Sequence, residues 1–234
     1  MCLINIKINC YHCHSPNVVK NGKKNTGKQN LLCKDCNRQF QWEYVNSGAD
    51  PRKKKQVISS LIHGCGIRDC QKVHGVNPKT TLALILKKGA EVVIRPKLKG
   101  YSQIQIDEMY SFVYQKGKKV WIFYAYAPQT KEILAITMGR RSKKQLRSLM
   151  LQLKHLKIEV DFYCTDLFEG FSSVLPNEKH LAGKEYTKNI EGINTLIRSK
   201  IARLHRRTTK FSKKLIYHWF LMKIFIFYFN ELPS

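Results

Sequence analysis

The stretch IQIDEMYSFVYQKGKKVWIFYAYAPQTKEILAITMG, residues 104–139, decides the architecture. It holds three runs rich in β-branched and aromatic side chains, Ile104 to Tyr114, Val120 to Ala127 and Ile133 to Met138. Such side chains suit a pleated surface. The middle run, VWIFYAYA, is apolar without interruption. Short basic turns, Lys116 to Lys119 and Pro128 to Lys131, separate the runs, so the three are predicted to form an antiparallel meander.

Toward the C-terminus, Ser142 is placed to cap a helix from Lys143 to Leu156, with Leu146, Leu149, Met150 and Leu153 on its inner face. Val160 to Cys164 is a fourth strand. A helix connects it to the third strand, so it should lie parallel within the sheet. A further helix is predicted from Asn189 to His205. Three antiparallel strands, a helix, a strand and more helices is the strand order of an RNase H-like core, here residues 101–234. The fold class is therefore mixed α+β. The apolar segment Leu215 to Asn230 (LIYHWFLMKIFIFYFN) is shorter than the ~20 residues a membrane-spanning helix needs. It also carries His218 and Lys223, so it reads as a core helix and no membrane partner is expected.

Toward the N-terminus, residues 91–100 (EVVIRPKLKG) contain Pro96 and Gly100 and read as a linker or an entering strand. Residues 49–90 read as short helices. Asp50 before Pro51 is an N-cap followed by proline at the first helical position. The helix runs to about Ile62 with Val57, Ile58, Leu61 and Ile62 inward, and Gly64 and Gly66 break it. Ile67 to His74 is a second helix, Gly75-Val76-Asn77 a turn, and Asn77 with Pro78 opens a third helix to about Lys88. Short helix, glycine turn, longer helix is the helix-turn-helix arrangement, whose second element enters the major groove of double-stranded DNA. Lys79, Thr80 and Thr81 occupy the first turn of that element, where bases are read.

Residues 1–48 hold two knuckles, Cys10-x2-Cys13 and Cys33-x2-Cys36, separated by nineteen residues. That spacing is the pattern of a zinc ribbon. Four thiolates complete tetrahedral Zn²⁺ with no open position, so the ion should be structural. His12 and His14 beside the first knuckle read as solvated turn residues. His63, Cys65, Cys70 and His74 do not have standard ligand spacing. Lys20, Lys23, Lys24 and Lys28 lie between the knuckles, over an aromatic set of Tyr11, Phe40, Trp42 and Tyr44, and suit phosphate contact.

Charge narrows the function. Lysine and arginine number 42 against 16 acids, a formal net charge of +26. Such an excess suits a polyanionic partner, because cations that neutralise phosphates release condensed counterions. AT-rich coding inflates lysine but does not deplete glutamate. The start, MCLINIKINCYHC, lacks a basic region followed by an apolar run, so no secretory signal is read there and the eight cysteines are expected in a reducing compartment. Cytoplasmic, nucleoid-associated localisation follows.

In so basic a chain, acids at strand ends are informative. Asp107 lies in the first strand and Asp166 directly after the fourth, and in this fold those strands are neighbours. Carboxylates gathered at one sheet end hold Mg²⁺ or Mn²⁺. The third acid is read as Glu191, beside the apolar stripe Ile190, Ile193, Ile197, Ile201 and Leu204. Asn194 and Arg198 follow it on the same side of the helix. Lys200 and Arg203 would join Arg198 in holding DNA. Glu185 precedes the helix and lacks this pattern. Glu108 should point to the opposite face of the strand from Asp107.

These features together resemble a transposase of the insertion-sequence-one family. The similarity is carried by the N-terminal knuckles with NGKKNTGKQNLLCKDCNRQF, by HGCGIRDCQKVHGVNPKTTLALILK, and by QIDEMY, KKVWIFYAYAPQTKEILA, YCTD, YTKNIEGINTLIRSKIARL and FSKK. The chain looks like the joined form of a product encoded in two reading frames. The resemblance implies a DDE triad on Asp107, Asp166 and Glu191, with the following basic residue on Arg198. It also implies metal-dependent cleavage and transfer of DNA strands at terminal inverted repeats, by a homo-oligomer. Gly192-Ile193 departs from the basic or polar residues common in the family at those positions. Two rival functions fit the same segments: a DNA-binding repressor with an inactive catalytic domain, and a structure-specific RNase H-like nuclease.

Overall fold

The computed structural model describes residues 6–44, 46–205 and 209–231. The first five residues, on which the reading of the chain start partly falls, lie outside the described residues.

Two sheets form. Strands β1 (Val18–Lys23), β2 (Gln29–Cys33) and β3 (Gln39–Gln41) make a small antiparallel sheet in that order. Its core is Cys10, Leu31, Cys33 and Phe40, with Tyr11 and Trp42 packed against it. Three helices follow, α1 (Pro51–Ile62), α2 (Ile67–His74) and α3 (Pro78–Glu91). The caps are those expected of Asx residues before proline. Asp50 Oδ1 accepts the Arg52 amide at 2.9 Å, and Asn77 Oδ1 accepts the Lys79 amide at 2.8 Å. Gly75 ends α2 at φ 66°, in the left-handed region that glycine enters at no steric cost.

The second sheet contains β4 (Gly100–Phe112), β5 (Lys119–Ala127), β6 (Glu132–Gly139), β7 (Glu159–Thr165) and β8 (His180–Ala182), in the order β6-β5-β4-β7-β8. The first three form the antiparallel meander, while β4–β7 and β7–β8 are parallel. The crossover between β6 and β7 is α4 (Lys143–His155). Ser142 holds its N-cap position, though its hydroxyl makes no capping bond. Short helix α5 (Glu169–Ser172) and strand β8 extend the sequence-based expectation. The helix expected over Asn189 to His205 is α6 (Lys188–Lys200), and the chain turns extended at Ile201.

The sheet separates two cores. On one face Ile104, Ile106, Phe123 and Ala125 pack against Leu146, Leu149 and Leu153 of α4 and against Phe171. On the other, Met109, Ile122, Tyr124 and Ile136 pack against Ile190 and Ile197 of α6 and against α7 (Leu215–Glu231). Helix α7 is the apolar C-terminal segment, buried as a core helix. No helix among the described residues is long and apolar enough to cross a membrane. Its Asn230 side chain binds both the amide and the carbonyl of Ile133, at 2.8 and 2.9 Å, and so satisfies backbone on the edge strand β6. The three N-terminal helices share this second core: Val57, Ile58, Leu61 and Ile85 belong to it, with α3 lying along α7.

Candidate active site

Parallel pairing between β7 and β4 runs from Gly100 to Ile106 and stops where β7 ends at Thr165. Asp107 is the next residue of β4 and Asp166 the next after β7. Their side chains therefore meet where β4 loses its neighbour. One carboxylate oxygen each from Asp107, Asp166 and Glu108 lies within 4.8 Å of the others. Backbone and side-chain donors orient the two aspartates. Asp107 accepts the Glu108 amide at 2.7 Å and the Asn194 side-chain amide at 2.6 Å, and Asp166 accepts the Phe168 amide at 3.1 Å.

Helix α6 closes the site from the second face. Buried Gln105 accepts the Ile190 amide at 2.9 Å, which ties the first turn of α6 to β4 two residues before Asp107. Glu191 is exposed on that turn and lies outside the 4.8 Å group. It is near enough for its charge to act on Asp107. Burial pushes the Asp107 carboxyl above its ordinary range, and the charges of Asp166 and Glu191 push the same way against the donors from Glu108 and Asn194. The buried Tyr124 hydroxyl donates to Asn194 Oδ1 at 2.9 Å, which fixes the amide so that its nitrogen faces Asp107. Burial, then the Asp107 charge, holds that phenol well above its ordinary pKa of 10, so it stays a donor.

Glu108 leaves the opposite face of β4, as strand alternation requires, yet its carboxylate joins the cluster. It pairs with Arg141, whose Nε donates at 2.9 Å and whose Nη2 makes a second contact to the same Oε1. Arg141 lies over the rings of Trp121 and Phe168, at 4.8 and 3.8 Å from their centroids. The other oxygen, Glu108 Oε2, is buried without a hydrogen-bond partner. Converging carboxylates with an unsatisfied oxygen fit a hard divalent cation such as Mg²⁺ or Mn²⁺.

The four ribbon sulfurs also lie within 4.8 Å of one another, with Cys10–Cys36 at 3.6 Å and Cys13–Cys33 at 3.5 Å. Tetrahedral sulfurs about 2.3 Å from an ion stand about 3.8 Å apart, so this cluster could hold Zn²⁺.

A family model described as IS1 transposase matches residues 102–229, the span that contains every acid of the site. The chain belongs to the IS1 transposase family. The "insertion element iso-IS1n protein InsB" of Shigella dysenteriae is 34% identical over 122 residues, 52% of this chain and 92% of that protein. The "insertion element IS1 4 protein InsB" of Escherichia coli (strain K12) is 33% identical over 114 residues, 49% of this chain and 67% of that protein. The integrase catalytic core domain of HTLV-2 in complex with magnesium aligns at 14% identity and a TM-score of 0.32, over 53% of this chain and 100% of that one. That likeness adds nothing to the sheet order already described.

The transposase is thus of the DDE type, with the carboxylates of Asp107, Glu108 and Asp166 gathered at the sheet end. The family model leaves the ribbon and the first three helices unmatched, whereas the sequence resemblance ran along nearly the whole chain.

The expected DNA-contacting residues divide by burial. Lys79 is exposed at the start of α3, and Thr80 is half-buried beside Gly48. Thr81 is fully buried, its hydroxyl without a partner, so base reading from this position does not fit the transposase as folded. Lys200 is exposed at the end of α6, and Arg198 is half-buried near Tyr124, on whose hydroxyl its charge acts. Arg203 is 7% exposed, and its guanidinium donates to Ser212 Oγ at 2.8 Å and to the Tyr217 carbonyl at 3.3 Å. It joins α6 to α7 instead of facing DNA. Sequence reasoning set Glu108 aside, and it passed over Arg141 and Tyr124. Asn194 was legible only as a polar residue one turn after Glu191.

Proposed function

We propose that this transposase cleaves DNA at the terminal inverted repeats of an insertion sequence and joins the freed ends to target DNA. The convergence of Asp107 and Asp166 beside the first turn of α6, in a chain of net charge +26, carries this reading. Asp107, Asp166 and Glu191 would hold Mg²⁺ or Mn²⁺, which supplies an activated attacking oxygen and neutralises charge on the leaving one. Asn194 and the backbone amides of Glu108 and Phe168 keep the two aspartates aimed at one point before substrate arrives. Arg198 and Lys200, on the same helix as Glu191, would bind phosphates near the reacting bond. Lys79 and Thr80 would face the DNA that the helix-turn-helix engages, with zinc holding the ribbon alongside. Action on paired ends would require a homo-oligomer.

The test is Mg²⁺- or Mn²⁺-dependent cleavage of a duplex carrying the element's own terminal repeats. Asp107→Asn and Asp166→Asn should abolish cleavage while retaining binding. Wild-type binding without cleavage would instead indicate a DNA-binding repressor. Cleavage of branched or hybrid substrates with no preference for the repeat would indicate a structure-specific nuclease.

A further inference from the structure

We propose that Glu108 is a fourth metal-ligating carboxylate of this centre, held in position by Arg141. The inference rests on the reading of the site as a divalent-cation centre. Its geometry follows from the sheet. Wherever β4 is paired on both sides, a residue on one face is walled off from the other. From Asp107 onward β4 has β5 on one side and no strand on the other, because β7 has ended. A glutamate side chain is long enough to reach round that open edge, and one of its oxygens lies within 4.8 Å of those of Asp107 and Asp166.

The burial of this side chain points to a ligand. It is only 5% exposed, and Arg141 occupies Oε1 alone. Oε2 is buried with no donor. A carboxylate serving only an ion pair has no reason to keep its second oxygen unsatisfied, since a buried acceptor without a partner is costly. Arg141 lies over the Trp121 and Phe168 rings and bonds Oε1, leaving Oε2 available to a cation. Arg141 is therefore a positioning residue. It sets the orientation of Glu108 and offsets part of the cluster's negative charge while no cation is bound.

The experiment is Mn²⁺ titration of the full-length protein, with its ribbon loaded with zinc, followed by electron paramagnetic resonance of free Mn²⁺. Wild type, Asp107→Asn and Glu108→Gln are compared. Loss of an outer-shell partner already costs ~10–100-fold in metal affinity, so Glu108→Gln, which keeps a bond to Arg141, should weaken binding at least about tenfold. Arg141→Met should lower the melting temperature without Mn²⁺ and enlarge the Mn²⁺-induced rise, and that enlargement should vanish in the Glu108→Gln background. Wild-type affinity in Glu108→Gln, with Asp107→Asn weakened, overturns the role of Glu108 and leaves the metal centre standing. No saturable Mn²⁺ binding by the wild type removes both. If Glu108→Gln does not fold, Glu108→Asp, which keeps the charge and shortens the reach, decides by the same criterion.

Discussion

Asn194 Nδ2 donates to Asp107 Oδ2 at 2.6 Å, and the same amide is held from behind by the Tyr124 hydroxyl at 2.9 Å. The helix that carries Glu191 thus also sets the direction of the β4 aspartate. Removing an outer partner of a metal-ligating carboxylate typically costs ~10–100-fold. Asn194→Ala should fold normally and lose about that much cleavage rate on repeat-containing DNA. Asn194→Asp should lose more, since it sets a like charge against Asp107. Wild-type rates in Asn194→Ala would show that Asp107 needs no such support.

The ribbon should depend on its metal and the rest of the chain should not. Two of the four residues in its core are cysteines, leaving Leu31 and Phe40 as the apolar interior. Such a core cannot offset chain entropy, whereas structural zinc contributes ~10–16 kcal/mol in comparable small modules. No ribbon residue belongs to either large core. Chelation, or Cys33→Ser, is expected to abolish amide-exchange protection across Gln29–Cys33 and leave the melting of the five-stranded sheet unshifted. Retained protection after verified zinc loss would contradict this.

How far the sequence could be read follows from which forces are local. The four longer strands of the catalytic sheet were legible because apolar runs and basic turns are local features, and so were the caps at Asp50 and Asn77. Asp107 and Asp166 were legible because topology alone makes their strands neighbours. Strand β8 is three residues long and is held by parallel pairing with β7, which leaves no pattern in HLA itself. The stripe Ile190 to Leu204 continues at helical spacing past Lys200, but the contacts of Arg203 with Ser212 and Tyr217 draw the chain into a different turn. For Glu108, alternation gave the correct face but not the reach that brings its carboxylate into the cluster. A face is a property of the strand, and reach round an edge depends on where a neighbouring strand stops.

Helix α3 and helix α7 approach closely at Gly89, a contact that binds the N-terminal helices to the catalytic core. A Cβ there would stand 2.4 Å from Phe220 Cβ, and Lys223 Nζ already donates to the Gly89 carbonyl at 3.0 Å. Alanine gains ~1 kcal/mol of helix propensity over glycine, and overpacking a close contact costs ~1–3 kcal/mol. The obstacle is a backbone-proximal carbon that cannot swing away, so the clash should win. Gly89→Ala is expected to lower stability in denaturant titration. A variant as stable as wild type, or more so, would mean that the helices part without cost.

His218 should make the α6–α7 joint sensitive to acid. It is 1% exposed, its Nδ1 is 3.1 Å from Ser212 Oγ, and its Nε2 has no partner. Burial first, and the nearby Arg203 charge second, push its pKa down to about 3. The unfolded chain binds this proton below about pH 6.5, while the folded chain excludes it until near pH 3. The stabilisation is therefore complete above about pH 6.5. It falls with decreasing pH through that window, by at most ~1.4 kcal/mol per pH unit. Unfolding free energies measured from pH 7 to pH 5 should drop more steeply in wild type than in His218→Leu, by up to about 2 kcal/mol over that range. Parallel slopes would mean that the buried imidazole gains its proton without unfolding, through a local opening between Ser212 and α7.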